Sequence, residues 1–387
     1  MQFHVWLAAG FPVLALLLIV GLATRMDRTL IGPIATSTPS VTLSTSTPRI
    51  EIATTSPHVA TARPETPQMP AQSESETGPV APPPFTASTA TPVSSPALPN
   101  QIALDAASAK ARAALVNILC FSENTIINSV TGSGVIIDPK GIIVTNAHIA
   151  QYFLLVHSAP LGVSCVIRTG SPARLAYEAD LIFVSPQWIA RNAATFSEKN
   201  PAVNGDYDYA FLAITASITD DPLPASFPFV PLGMEGAYVD EPVVIAAYAA
   251  EFLVDSQISS SLFPTIVFGS VKSLSAFVEN NIDLIELGGS AAAQHGSSGG
   301  GVVNAAGVFE GLIAIGTNEE ETKDRDFSAL TASYLRRVYK QEEGRSLDVF
   351  LEQNPLQSIA AFAWRVPNLA DPVIRNLNPS NTSTWWL

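Results

Sequence analysis

Gly296-Ser297-Ser298-Gly299-Gly300 is the stretch on which the reading of this chain turns. Glycines beside a serine let the backbone bend so that one hydroxyl projects into a cleft, because glycine tolerates φ > 0 and allows close approach to its backbone. An attacking hydroxyl also needs two N–H groups converging where negative charge will develop, a role open here to the backbones of Gly296 and Ser298. Ser298 is the candidate nucleophile, since it has glycine at both −2 and +1 and Ser297 has neither. Alone, such a run is most simply a loop, so its meaning depends on what precedes it.

The same five residues fit G-x-S-x-G, the nucleophile elbow of α/β-hydrolases, whose partners follow in the order Ser…Asp/Glu…His. His295 is the last histidine of the chain, so no base follows Ser298 and that reading fails. The order His…Asp…Ser is the alternative, and the chain has a candidate for each place. His148 lies in Val144-Thr145-Asn146-Ala147-His148-Ile149-Ala150, behind an Asp138-Pro139-Lys140-Gly141 hairpin turn. Asp208 heads the apolar run Tyr209-Ala210-Phe211-Leu212. Separately, the histidine reads as a strand cap and the aspartate as a surface residue at a strand entry. Jointly and in this order they point to nucleophilic catalysis.

Of 387 residues, 47% are hydrophobic and 14% charged, enough for a large core in one or two domains. The net charge of −14, without a basic stripe, argues against a nucleic-acid partner. Two cysteines, Cys120 and Cys165, are too few for a disulfide scaffold and lack zinc spacing, so no metal or cofactor is expected.

Val5–Thr24 carries no charge and is long enough to span a bilayer as a helix, so residues 1–35 read as a transmembrane helix, signal anchor or secretory segment. Arg25 and Arg28 follow it, which by the positive-inside count leaves the remainder cytoplasmic. Residues 36–100 form a Pro/Ser/Thr-rich tract with too few large apolar residues to build a core, expected to be a disordered stalk. A stalk favours the opposite, extracytoplasmic placement, with secretion if the leader is cleaved.

From residue 101 to about 345 the pattern is short apolar runs separated by turns. After an alanine-rich helix over Leu104–Ala114, strands are predicted at Leu115–Phe121, Gly134–Ile137, Ile142–Thr145, Cys165–Arg168, Ala179–Val184 and Tyr209–Ile214. A second set follows at Pro242–Tyr248, Thr265–Val271, Asp283–Leu287, Val302–Asn304 and Val308–Ile315. That spacing suggests two antiparallel barrels. Gln187–Asn204 reads as a polar surface loop.

Thr131-Gly132-Ser133-Gly134-Val135-Ile136-Ile137-Asp138-Pro139-Lys140-Gly141-Ile142-Ile143-Val144-Thr145-Asn146-Ala147-His148 resembles the N-terminal barrel signature of trypsin-like serine proteases of the HtrA (Deg) type. Asp208–Leu212, Glu241–Tyr248, Phe268–Val271 and Gly296–Asn304 are similar to that family's aspartate strand, second barrel and nucleophile loop. The resemblance implies an all-β, chymotrypsin-like fold of two six-stranded Greek-key barrels with C-terminal helices, and a serine endopeptidase acting on proteins or peptides. It implies a triad of His148, Asp208 and Ser298, with Gly296 and Ser298 N–H groups as the oxyanion hole. The residue six before the nucleophile is Ala292, which with Ile315, Gly316 and Thr317 would make a pocket for small or aliphatic side chains. Ser297 stands where digestive members carry Asp, so activation by a new N-terminal ammonium is not expected. The alternative reading is a weak or inactive binding module on the same fold. Cys120 and Cys165 fall on neighbouring predicted strands, where either a disulfide or two buried thiols would fit.

Asn318–Asp326 reads as a solvated acidic loop, and Thr331–Glu343 and Leu347–Phe362 as helices packed on the second barrel. The chain beyond 345, through the tail with Trp385-Trp386, leaves too little room for the PDZ domain that many members append, and its substrate and oligomeric state are not legible.

Overall fold

Ala107, Ala111 and Ala114 recur at helical spacing and are buried, and through them α1 (Pro99–Ala114) lies against the second sheet. This helix starts before the predicted Leu104, at a proline whose fixed φ suits a first turn. The computed structural model describes residues 99–122, 127–156, 158, 161–196, 205–219, 221–316, 321–325 and 327–377, all within the unit Ser88–Leu387. The apolar run 5–24, residues 36–98 of the Pro-rich tract and the tail from 378 lie outside the described residues. Among the described residues no helix is long and apolar enough to cross a membrane.

The first half is the expected closed barrel. Its strands are β1 (Leu115–Ser122), β2 (Val130–Asp138), β3 (Ile142–Thr145), β4 (Val163–Thr169), β5 (Arg174–Val184) and β6 (Ala210–Ser217), closing in the order β1-β2-β3-β6-β5-β4. The turn α2 (Ala147–Ala150) follows β3, and α3 (Pro186–Asn192) follows β5. β1 pairs with β4 so that Cys120 faces Cys165, and the two form a disulfide. The stretch predicted as a polar loop thus begins as a helix, because Ser185 caps it, Pro186 fits its first turn, and Trp188 and Ile189 are buried.

The second half departs from the six-stranded expectation. Strands β7 (Pro242–Ala247), β8 (Thr265–Ser270), β9 (Ser273–Ser275), β10 (Leu284–Glu286), β11 (Gly301–Asn304), β12 (Phe309–Gly316) and β13 (Phe327–Thr331) make a seven-stranded antiparallel sheet ordered β8-β7-β11-β12-β13-β10-β9. No ladder joins β8 to β9 among the described residues, so this sheet is not a closed barrel. Ser-Leu-Ser in β9 offers no apolar run to a sequence reading, and β13 hides between a charged loop and a helix. The helix α4 (Asp255–Ser260) lies in the β7–β8 connection. The connection between halves holds to both, with Val230 N–H donating to Ile136 O at 2.9 Å and Gly233 N–H to Phe309 O at 2.8 Å.

The C-terminal helices are α5 (Ala332–Glu343), α6 (Leu347–Glu352), α7 (Pro355–Ala363) and α8 (Val366–Leu377). The single helix predicted over Leu347–Phe362 is split, because Pro355 disfavours helix at the residue before it and Asn354 caps the next one. The expectation that these helices cover the second barrel holds for α5, which lies against β12 and β13 and also reaches the first barrel, and is corrected for α6–α8, which pack on the first. Phe183 and Phe211 present aromatic rings to them, with Phe183–Tyr339 centroids 5.0 Å apart and Phe211–Phe350 5.9 Å apart.

Candidate active site

Asp208 is brought to His148 by the turn ahead of β6. The turn is tight, with Asp208 N–H donating to Gly205 O at 3.0 Å and Tyr207 in the left-handed region at φ 62°. A non-glycine residue seldom stays there without support. The support comes from α5 and α3. Tyr334 Oη accepts from Tyr207 N–H at 2.7 Å and donates to Asp206 at 2.6 Å, while Arg191 pairs with Asp206 at 2.7 Å and covers the Tyr207 ring at 4.8 Å. Burial pushes the Tyr334 phenol far above its ordinary range, so it stays a neutral donor. Two turns on, Glu342 of α5 accepts from Tyr209 Oη at 2.6 Å and Ser185 Oγ at 2.7 Å.

The Asp208 carboxylate is fully buried and grips His148 twice, accepting from its backbone N–H at 2.9 Å and facing its Nδ1 at 2.7 Å. Asn146 Nδ2 adds a bond to Asp208 O at 2.9 Å, and Gln151 Nε2 one to His148 O at 2.9 Å. With Nδ1–H turned to the carboxylate, Nε2 is the ring atom free to accept a proton. The His148 side chain is 28% exposed, as a group that meets substrate must be.

Ser298 enters from the second sheet on a turn where Gly296 has φ 91° and Gly299 φ 85°. A Cβ on Gly299 would stand 2.0 Å from Ser133 O, so only glycine fits. The N–H groups of this turn alternate. Ser297 donates to Gln294 O, Gly299 to Ile313 O and Gly300 to Ser297 O, whereas those of Gly296 and Ser298 make no hydrogen bond among the described residues. Two unsatisfied donors flanking a serine are what an oxyanion hole requires. Among the described residues no hydrogen bond joins Ser298 Oγ to His148; such contacts are often long before substrate binds. What ties the two together is Ser133, whose N–H donates to Ser298 O at 2.8 Å and whose carbonyl accepts from Thr145 Oγ1, just ahead of His148, at 2.8 Å.

Beneath the turn, Arg325 forms a bidentate pair with Glu251 at 2.6 and 2.8 Å and donates to Ala293 O at 2.7 Å, while Glu251 accepts from His295 N–H at 3.1 Å. The Arg325 hydrogen bond holds the Glu251 carboxyl below its ordinary range. Arg325 is buried, so the loop read as wholly solvated sends one cation inward. The Ser297 hydroxyl is buried without a partner.

Of the predicted pocket residues, Ala292 is fully buried in the apolar cluster that also holds Ala293, Ile313 and Phe327. Gly316 is exposed opposite Phe327, Ile315 is placed by its backbone only, and Thr317 lies outside the described residues. A cavity of about 280 Å³ lies elsewhere, between β5 and the helices α7 and α8, lined by Phe153, Leu181, Ile359 and Val366 among others. Among the described residues no cluster of metal-ligating side chains occurs. Sequence reading passed over Ser133, Thr145 and Asn146, though they stand inside the motif that carried the resemblance. For the Glu251–Arg325 pair, 74 residues apart, it had no signal at all.

No curated protein matches the sequence significantly. Among solved structures, a serine endoprotease from Yersinia pestis is similar at 19% identity and a TM-score of 0.40, over 62% of this chain and 68% of that one. Residues 132–312, which include His148, Asp208 and Ser298, match the model of the trypsin-like peptidase domain. Over that span the chain carries a trypsin-like peptidase domain.

Proposed function

We propose that the protein is a serine endopeptidase in which Ser298 Oγ attacks a peptide carbonyl and His148 Nε2 takes its proton, later returning it to the leaving amine. Asp208 holds the imidazole in the required tautomer and balances the imidazolium. The N–H groups of Gly296 and Ser298 receive the oxyanion, each contributing about 3 kcal/mol to the barrier reduction. The observation that carries this reading is the nucleophile turn, where those two donors are left unbonded among the described residues, together with the His148–Asp208 pair.

A fluorophosphonate probe tests it: the wild-type protein should be labelled at Ser298 and Ser298→Ala should not. The absent bond between Ser298 Oγ and His148 favours the second reading, a weak or inactive binding module, which a folded but unlabelled wild type would support.

The substrates on this reading are proteins or peptides with small or aliphatic residues before the scissile bond. Ala292, six residues before Ser298, carries no charge to meet a basic side chain, which supports that preference. A peptide library cut after Arg would contradict it. Ser297 carries no charge, and the Glu251–Arg325 pair braces the turn, which supports activity without zymogen cleavage.

Residues 1–35 serve as membrane anchor or cleaved signal, with 5–24 in the bilayer, and 36–100 as a stalk for an extracytoplasmic domain. The Cys120–Cys165 disulfide supports that placement, since such bonds persist in oxidising compartments. Protease protection of the domain in sealed vesicles would decide its side of the membrane.

A further inference from the structure

Ser133 of β2 stands where the two halves meet. It is wholly buried, and each of its polar atoms is engaged. Its N–H donates to Ser298 O at 2.8 Å, and its carbonyl accepts from Thr145 Oγ1 at 2.8 Å. Its hydroxyl donates to Gly296 O at 2.8 Å and accepts from Tyr248 N–H at 2.8 Å.

We propose that Ser133 is the positioning residue of the oxyanion hole: its hydroxyl and N–H fix the carbonyls of Gly296 and Ser298, and so hold the two peptide planes on either side of the one that carries the Ser298 N–H. The inference rests on reading Ser298 as the nucleophile. Glycine populates both signs of φ, so the Gly296–Ser297 peptide turns at low cost unless something holds it. Were it to turn, the next peptide would move with it and carry the Ser298 N–H off the oxyanion. A serine hydroxyl has one proton, and Tyr248 N–H occupies its acceptor side, which directs that proton to Gly296 O. Through Thr145 the same residue is joined to the strand that ends at His148. Base and oxyanion donors thereby share one anchor.

The test compares the full chain with Ser133→Ala and Ser133→Cys, using p-nitrophenyl acetate and a fluorophosphonate, probes independent of peptide preference. Acylation by the ester is separated into a rate constant and an apparent Kd. Ser133→Ala should acylate roughly 10- to 100-fold more slowly, less than the loss for deleting a donor itself, with apparent Kd unchanged. Phosphonylation should slow in proportion. Ser133→Cys, nearly isosteric with a weak donor, should fall between. A folded Ser133→Ala that acylates at the wild-type rate, or one altered in Kd alone, would overturn the assignment. Should the alanine variant not fold, wild-type acylation by Ser133→Cys would overturn it equally. If the wild type itself takes up no fluorophosphonate, the nucleophile reading has failed and this inference goes with it. Labelled wild type with an equally fast Ser133→Ala removes this inference alone.

Discussion

The Asp208 carboxylate holds His148 by two atoms, one oxygen taking the backbone N–H at 2.9 Å and the other facing ring Nδ1 at 2.7 Å. Asp208→Asn should therefore keep the fold and reverse the chemistry. The amide oxygen can still accept from the backbone, but the NH₂ would donate to Nδ1 and move the ring proton to Nε2, where it blocks the base. We expect about a 10⁴-fold loss in acylation rate with little change in melting temperature, read by ester burst kinetics and circular dichroism.

Tyr334→Phe removes the hydroxyl that holds both the Tyr207 N–H and the Asp206 carboxylate. Tyr207 then keeps its φ of 62° with less support. The cost should be about 1–2 kcal/mol in urea unfolding, together with slower acylation as the Asp208 turn loosens. Unchanged acylation would show that the turn does not depend on the Tyr334 hydroxyl.

The Glu251–Arg325 pair should matter more to rate than to stability. It is partly exposed, which limits its energetic weight, yet it holds Ala293 O and His295 N–H immediately ahead of Gly296. Arg325→Gln and Glu251→Gln should each slow acylation several-fold, with the double variant little slower than either. Strict additivity in that double-mutant cycle would show that the two act separately.

Glu310, on β12 away from the site, governs pH dependence of stability. Burial pushes its pKa from 4.5 up to about 7, reinforced by Glu241, against the hydrogen bond from Asn304. A carboxyl raised in the fold contributes stability that is complete below about pH 4.5 and is lost as pH rises through about 7. Glu310→Gln keeps an acceptor for Asn304 and cannot ionise. Its stability relative to the wild type should rise between pH 5 and pH 8, by about 1–3 kcal/mol at the upper end, measured by thermal melts across that range.

Apolar runs in the first barrel were legible because its strands are buried and each run is one strand. β3 matches its predicted span Ile142–Thr145 residue for residue. β9 was not legible, since a short polar edge strand is defined by its partner, Leu284–Glu286, and not by its own composition. Likewise, nothing local told that α6–α8 would cover the first barrel and that α5 would meet both halves. Phe183 and Phe211 meet the returning helices through Tyr339 and Phe350.

The residue order His148, Asp208, Ser298 and the glycines of the turn belong to the sequence itself, because chain order excludes one hydrolase architecture and only glycine accepts the backbone that the turn needs. The tertiary structure decided which N–H groups of the turn remain unbonded among the described residues, what holds the Asp208 turn, and that Ser133 joins Ser298 to Thr145. Those are contacts between segments far apart in the chain, created by packing and hydrogen-bond geometry, to which a one-dimensional pattern of residue types is blind.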